Sequence, residues 1–423
     1  MQTQLSARNC VNRSIKVTSL DSIPRPTYRR HSYLVTPGNN EFVSLNKFSR
    51  SQRHPISHIT KARPTPSTMT QEKINFKVAV FSAVEYVVEF LQTPLSSAFS
   101  EVKFFQARLD HDTASLVKGY DAVCLFVNDV CDAETIDTLA DNGVRFIAMR
   151  CAGYDRIDVA AAQKRGIRVV RVPTYSPRSV AEMALTLIMA ASRNLRPAIQ
   201  KVSIGNYQLS GLVGLEVSGK TYGIVGTGNI GIELIKLLKG FEGRILAYDI
   251  YESEEAKAHG AQYVDLDTLL KESDIVSLHT PLLPTTRHII NKEKLQLMKQ
   301  HAILINVSRG GLIDTKALME SLQLGDDANS SSGGKLAAVA LDVYDKEESL
   351  FFEDFTRFPA NERMKKWDNA FTVLKSLPQV LITPHIAFLT QEALGNIADT
   401  TVENLHQCAL GMNLANEVKP PSH

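Results

Sequence analysis

Three ionisable residues in the second half of the chain stand where apolar strands should end. Arg309 follows the run "HAILINVS", Glu347 lies in "DVYDKE" after "LAAVAL", and His385 lies in "TPHIAF" after "QVLI". Singly, each has an ordinary structural role: an ion-pair partner, a solvated acid, a hydrogen-bonded turn residue. Together, at the ends of strands in one sheet, they suit a particular chemistry. Ligands of open parallel sheets bind beyond the carboxyl ends of the strands. A guanidinium binds a carboxylate through two hydrogen bonds and polarises a ketone beside it. Reducing that ketone builds an alkoxide, which an imidazolium can protonate. A carboxylate next to the imidazole favours its charged form. Arg309, Glu347 and His385 therefore predict hydride transfer to a 2-oxo acid, with reduction slowing as pH rises and the reverse oxidation quickening.

Hydride transfer needs a carrier. Gly226-Thr227-Gly228-Asn229-Ile230-Gly231 fits GxGxxG, between an apolar strand and a helix. Gly226 allows the tight turn, Gly228 lets backbone approach a pyrophosphate, and Gly231 lets the helix pack close. The helix start offers free amides to phosphate. Asp249 ends the next strand, 18 residues past Gly231. Its carboxylate suits ribose hydroxyls and repels a 2′-phosphate. Ile250 and Tyr251 supply no compensating cation, so NAD is expected over NADP.

The elements that must position these residues fall into two alternating series. The first has strand-like runs at Phe76–Ala83, Asp121–Asp129, Val144–Gly153 and Ile167–Pro173, with amphipathic stretches at Asp132–Asn142 and Asp155–Arg165. Ser179–Leu195 is apolar without a breaker and predicts one long buried helix. The second series has strands at Thr221, Arg244–Tyr251, Asp274–Leu282, His301–Ser308, Leu336–Tyr344 and Gln379–His385. Apolar strands alternating with helices predict α/β architecture with doubly wound parallel sheets. A terminal helix over Thr390–Gly411 is expected to return to the first domain. "GDDANSSSGG", Gly325 to Gly334, is expected to be a surface insertion.

Charge divides the chain differently. Residues 1–70 hold eleven basic and two acidic side chains, and the rest holds 36 basic and 43 acidic. The acidic body argues against a nucleic-acid partner. The Arg-, Ser- and Pro-rich leader cannot bury a core. Its make-up is that of an organelle transit peptide, a plastid favoured over a mitochondrion, the other readings being a plain tail or a start at Met69. No stretch is apolar enough for a membrane span. Five widely spaced cysteines without a CxxC predict free thiols and no metal site. Cys151 is expected to be a packed small residue, with a reactive thiol the alternative.

The motifs "VGTGNIG", "INVSRGGLID", "ALDVYDKE" and "ITPHIAFLT", from about Phe76 to Val418, resemble those of the D-isomer-specific 2-hydroxyacid dehydrogenases. "CLFVND", "RCAGYDRID", "VRVPTYSP" and "ESLFFEDF" are most similar to the family's fermentative, NAD-dependent D-lactate enzymes. The resemblance implies a Rossmann-like NAD domain (177–385) and a discontinuous, flavodoxin-like substrate domain (75–176 with 386–423), separated by a cleft. It implies substrate binding by Arg309, acid/base work by His385 and a partner role for Glu347. It implies that Ala152 and Gly153 amides hold the substrate carboxylate and that Tyr175 lines the pocket. Asn229, Ile230, Thr280, Pro281, Val307, Ser308 and Asp342 would contact NAD beside Asp249. A homodimer is the family expectation. One departure is Thr286, where relatives often have Asn.

Phe388 bears on substrate size. Glycerate and glyoxylate reductases of the family usually carry small residues there, whereas a ring suits the methyl of pyruvate. The expected reaction is therefore reduction of pyruvate to D-lactate. The alternatives are a glyoxylate, hydroxypyruvate or phenylpyruvate reductase, and an NAD(H)-sensing corepressor on the same fold.

Overall fold

The computed structural model describes residues 72–323 and 335–420. The leader and the Gly325–Gly334 insertion lie outside the described residues.

In chain order, the first five strands are β1 (Ile74–Val80), β2 (Phe99–Phe104), β3 (Ala122–Leu125), β4 (Phe146–Met149) and β5 (Arg168–Val170). Then come β6 (Thr221–Val225), β7 (Arg244–Tyr248), β8 (Ala261–Tyr263), β9 (Ile275–Leu278), β10 (Ala302–Asn306), β11 (Leu336–Leu341) and β12 (Val380–Ile382), and last β13 (Glu417–Val418). They form two sheets. The first has the order β13-β5-β4-β3-β1-β2, the second β12-β11-β10-β9-β6-β7-β8. All pairings are parallel except β13 with β5. These are a flavodoxin-like and a Rossmann-like order, each reversing direction beside its first strand.

Burial explains why the apolar runs became strands. Every residue of β3, β9 and β10 is buried, as expected for parallel strands covered on both faces. Ile303, Leu304 and Ile305 have no exposed surface, and each such side chain contributes about 1.5–3 kcal/mol on burial.

The chain passes between the sheets twice. Helix Pro177–Ser192 follows β5 and packs on helix Asn229–Leu238 and on β10 and β11. Helix Gln391–Ala409 returns to pack on helix Glu85–Ala98, β1 and β4, so the terminal helix finds its partner in the first sheet. The two passages touch where Ser179 Oγ and Thr390 Oγ1 are 2.9 Å apart.

Three local expectations change. Ser179–Leu195 is not one helix: Asn194, at φ +48, breaks it into Pro177–Ser192 and Leu195–Ser203. The Asp155–Arg165 stretch is helical only over Val159–Lys164, because Ile157 bridges Cys131 and Asp158 caps the helix by accepting from the Ala161 amide. β2 and β8 join the sheet edges without a clear apolar run. No helix among the described residues is long and apolar enough to cross a membrane.

Candidate active site

The glycine turn leaves β6 at the reversal point of the second sheet. Gly226 has φ +99, and a Cβ there would lie 2.7 Å from the His279 carbonyl carbon. A Cβ on Gly231 would strike the Gly226 carbonyl oxygen, while Gly228 faces open space. Helix Asn229–Leu238 starts with no side-chain cap, leaving its first amides available. Asp249 is oriented by its neighbours: Oδ2 accepts from the Thr227 amide at 2.6 Å and Oδ1 from the Ile250 amide at 2.7 Å. The Tyr263 hydroxyl donates to Thr227 Oγ1 at 2.7 Å.

A cleft of about 450 Å³ opens beside this turn, lined by Ala152, Tyr175, Asn229, Ile230, His279 and Pro281 among others. At its edge, His279 Nδ1 and Thr280 Oγ1 are buried without partners. Burial pushes the His279 imidazole down to about 3, so it is neutral. The Ser308 hydroxyl donates to the Thr280 carbonyl at 2.6 Å, bracing the strand ends, and Val307 is buried behind it. Thr286 is buried and turns inward: it donates to the Pro281 carbonyl at 2.7 Å and accepts from the Leu283 amide at 2.8 Å. Orphaned polar atoms, a side-chain-free phosphate approach and a ribose-ready carboxylate fit a dinucleotide.

His385 and Glu347 meet directly. His385 Nδ1 lies 2.8 Å from Glu347 Oε1. Both side chains are over four-fifths buried, at 13% and 17% exposed. Glu347 Oε2 accepts from the Tyr344 amide at 3.0 Å. Burial opposes ionisation of Glu347, but hydrogen bonding to His385 and the charges of His385 and Arg309 hold its carboxyl below the ordinary value. An acceptor at Nδ1 puts a proton there and leaves Nε2 for a reacting group. His385 sits at φ +56. Asp342 holds that turn: its fully buried carboxylate accepts from the Thr383 hydroxyl at 2.5 Å and the Ile386 and Ala387 amides at 2.9 and 2.8 Å.

Arg309 leaves β10 through a turn locked by Asn306, whose side chain donates to the Arg309 carbonyl at 2.8 Å and accepts from the Ser308 amide at 3.0 Å. Its Nη1 donates to the Ser308 carbonyl at 2.9 Å and its Nε faces Asp155 at 3.4 Å. The glycines clear the way. A Cβ on Gly153 would collide with Arg309 Nη2, and one on Gly310 with the Tyr344 backbone. Arg309, Glu347 and Gly153 line one cavity of about 130 Å³. Arg156 pairs with Glu348 at 3.1 Å on its rim.

Rings surround the histidine. Phe388 is buried, with its centroid 6.4 Å from His385, 6.3 Å from Tyr175 and 5.6 Å from Phe126. Burial pushes the Tyr175 hydroxyl up to about 12, so it is uncharged. Cys151 is a packed residue, 7% exposed, and that burial pushes its thiol up to about 12. Among the described residues no His, Cys, Asp and Glu cluster could hold a metal.

Asn306, Asp155, Phe126 and Phe352 join the site without having been singled out from sequence. Phe126 and Phe352 lie inside "CLFVND" and "ESLFFEDF", the stretches that carried the resemblance, so the signal was regional and not yet residue by residue.

Known proteins similar to this chain fall in one family. The model of the D-isomer specific 2-hydroxyacid dehydrogenase NAD binding domain matches residues 185–387. The chain is 40% identical over 342 residues to the D-lactate dehydrogenase of Escherichia coli strain K12, covering 81% of this chain and 99% of that one. A structure described under the identification of the pyruvate reductase of Chlamydomonas reinhardtii superposes with TM-score 0.76 at 50% identity, covering 81% of this chain and 99% of that one. The D-lactate dehydrogenase of Aquifex aeolicus, solved with NAD and lactic acid, superposes with TM-score 0.68 at 30% identity, covering 82% and 100%.

Proposed function

The chain belongs to the D-isomer specific 2-hydroxyacid dehydrogenases and uses NAD, and within that family we propose that it reduces pyruvate to D-lactate. The observation that carries the reading is the His385–Glu347 pair with aromatic rings packed about it, Phe352 among them, beside a small cavity that Phe352 lines together with Glu347 and Arg309. The 50% identity to the Chlamydomonas protein supports it.

In this mechanism Arg309 binds the pyruvate carboxylate and polarises the ketone, with Ala152 and Gly153 amides on the same carboxylate. Bound NADH would supply the hydride for the ketone carbon. His385 Nε2 gives its proton to the oxygen that becomes the hydroxyl, and Glu347 stabilises the imidazolium beforehand. Tyr175 and Phe388 wall the substrate. Gly226, Gly228, Asn229, Ile230 and Gly231 would hold the pyrophosphate and Asp249 the adenosine ribose. Thr280, Pro281 and Ser308 would face the rest of the cofactor, with the Val307 and Asp342 side chains buried beneath them and Asp342 acting through the His385 turn it holds. In reverse, neutral His385 accepts the proton. We assign 75–176 with 386–423 to the substrate domain and 177–385 to the NAD domain.

We also read the chain as a homodimer. Helix Leu195–Ser203 buries none of its residues, and Leu195, Ile199, Val202, Ile204, Leu209 and Val213 expose large apolar surface nearby. Apolar patches of this kind mark association surfaces. The leader fits import into a plastid, which a fluorescent fusion to residues 1–70 tests.

The substrate test offers pyruvate, hydroxypyruvate, glyoxylate and phenylpyruvate to the purified chain with NADH. Pyruvate should give the highest kcat/KM and D-lactate as product. A higher value for hydroxypyruvate or glyoxylate would overturn the pyruvate assignment. NADH binding without turnover of any would favour the cofactor-sensing alternative.

A further inference from the structure

We propose that Phe352 is a specificity-determining residue that closes the side-chain end of the substrate pocket and limits it to short 2-oxo acids. The proposal rests on the reading of this cavity as a 2-oxo acid site.

Two neighbouring phenylalanines in "SLFFEDF" have opposite fates. Phe351 is 6% exposed, its ring 5.8 Å from Phe371 in the core, and its amide donates to the Glu347 carbonyl at 2.7 Å. Phe352 is 37% exposed and lines the cavity that holds Arg309, Glu347 and Gly153. The residue achieves this with φ +65, a backbone state that bulky L residues avoid. Anchoring by Phe351 and the left-handed turn together throw the Phe352 ring towards the site. Strain of this kind concentrates where structure serves function.

The ring's contacts say what it does. Its centroid is 6.0 Å from His385 and 5.5 Å from Phe126, edge-on at 82°. Phe126 follows β3 in the first sheet, whereas Phe352 follows β11 in the second. The pair therefore spans the cleft beside the proton donor. Phe126 cannot yield: it is buried, and the Arg150 guanidinium, itself bonded to the Ser82 carbonyl at 2.9 Å, lies 5.1 Å from its ring centroid. Phe388 is likewise buried. Of the three rings, Phe352 alone can be removed without opening the core. Its removal enlarges the cavity beside Glu347 and His385 by the volume of the ring.

The test compares kcat/KM for pyruvate and phenylpyruvate in the full chain, in Phe352→Gly and in Phe352→Tyr. Glycine suits the left-handed backbone, and tyrosine keeps the wall. The phenylpyruvate-to-pyruvate ratio should rise at least about tenfold in Phe352→Gly and stay within about twofold in Phe352→Tyr, with KM for NADH unchanged. If Phe352→Gly fails to fold, Phe352→Leu should show a smaller rise in the same direction. An unchanged ratio in a folded, NADH-binding Phe352→Gly overturns the proposal. The wild-type ranking tests the pyruvate reading separately. A wild type that prefers another 2-oxo acid, with the tenfold shift still present, supports the wall and removes only the assignment to pyruvate.

Discussion

His385 Nδ1 and Glu347 Oε1 lie 2.8 Å apart, joined across 38 residues of chain. Each stands on a separate strand end, after β12 and β11, and Asp342 ties the two ends together through Thr383, Ile386 and Ala387. The histidine and its carboxylate partner are thus held in place by a buried aspartate that ties the two strand ends.

Glu347→Gln removes the charge that favours the imidazolium. Pyruvate reduction should fall about 10–100-fold at neutral pH. The Glu347 carboxyl is held below its ordinary value, so in the wild type it is ionised at neutral pH. The same depression contributes stability that is present above the unfolded carboxyl value and lost as pH falls through the folded one. Thermal scans below about pH 5 should therefore show a smaller acid loss in Glu347→Gln than in the wild type. Unchanged pyruvate reduction in Glu347→Gln would separate Glu347 from the proton transfer.

Gly153→Ala places a methyl group where Arg309 Nη2 now sits. The guanidinium must move, and the substrate loses its clamp. With charge-assisted bonds worth roughly 1.5–3 kcal/mol each, kcat/KM for pyruvate should fall at least about tenfold. NADH affinity, read by fluorescence titration, should not change. A parallel loss of NADH affinity would mean that Gly153 serves the fold and not the arginine.

Asp249→Ser removes the carboxylate that Thr227 and Ile250 orient. The NADPH-to-NADH ratio of kcat/KM should rise by about tenfold or more. A ratio that stays at the wild-type value would assign discrimination elsewhere in the cleft.

Ile204→Asp combined with Val213→Asp puts charge on a surface that is 79% and 91% exposed at these positions. Light scattering should show the mass halved relative to the wild type, with the near-ultraviolet spectrum of the folded chain preserved. A wild type that already scatters as a monomer would remove the dimer reading.

Much of this was legible in the residues. GxGxxG is a local signal, and buried parallel strands write themselves as apolar runs, so the second sheet and its glycine turn could be placed before any coordinates. The edge strands could not: β2 carries Ser, Glu and Lys between its two rings in "FSEVKF", and β8 has only three residues. The break at Asn194 depends on a left-handed residue inside an apolar helix, which composition does not signal. Arg309, Glu347 and His385 stood out because charge at the end of a buried strand is costly unless used. Asp155 and Phe352 did not. One is a surface acid 154 residues from the arginine it faces, and the other owes its position to a backbone sign that phenylalanine rarely takes.

The most direct measurement is the pH dependence of pyruvate reduction and D-lactate oxidation in the wild type and in His385→Gln. Reduction should decline and oxidation rise as pH increases, and His385→Gln should lose about 100–10,000-fold in both directions while still binding NADH. A His385→Gln chain that keeps wild-type rates, or a product that is L-lactate, would contradict the account.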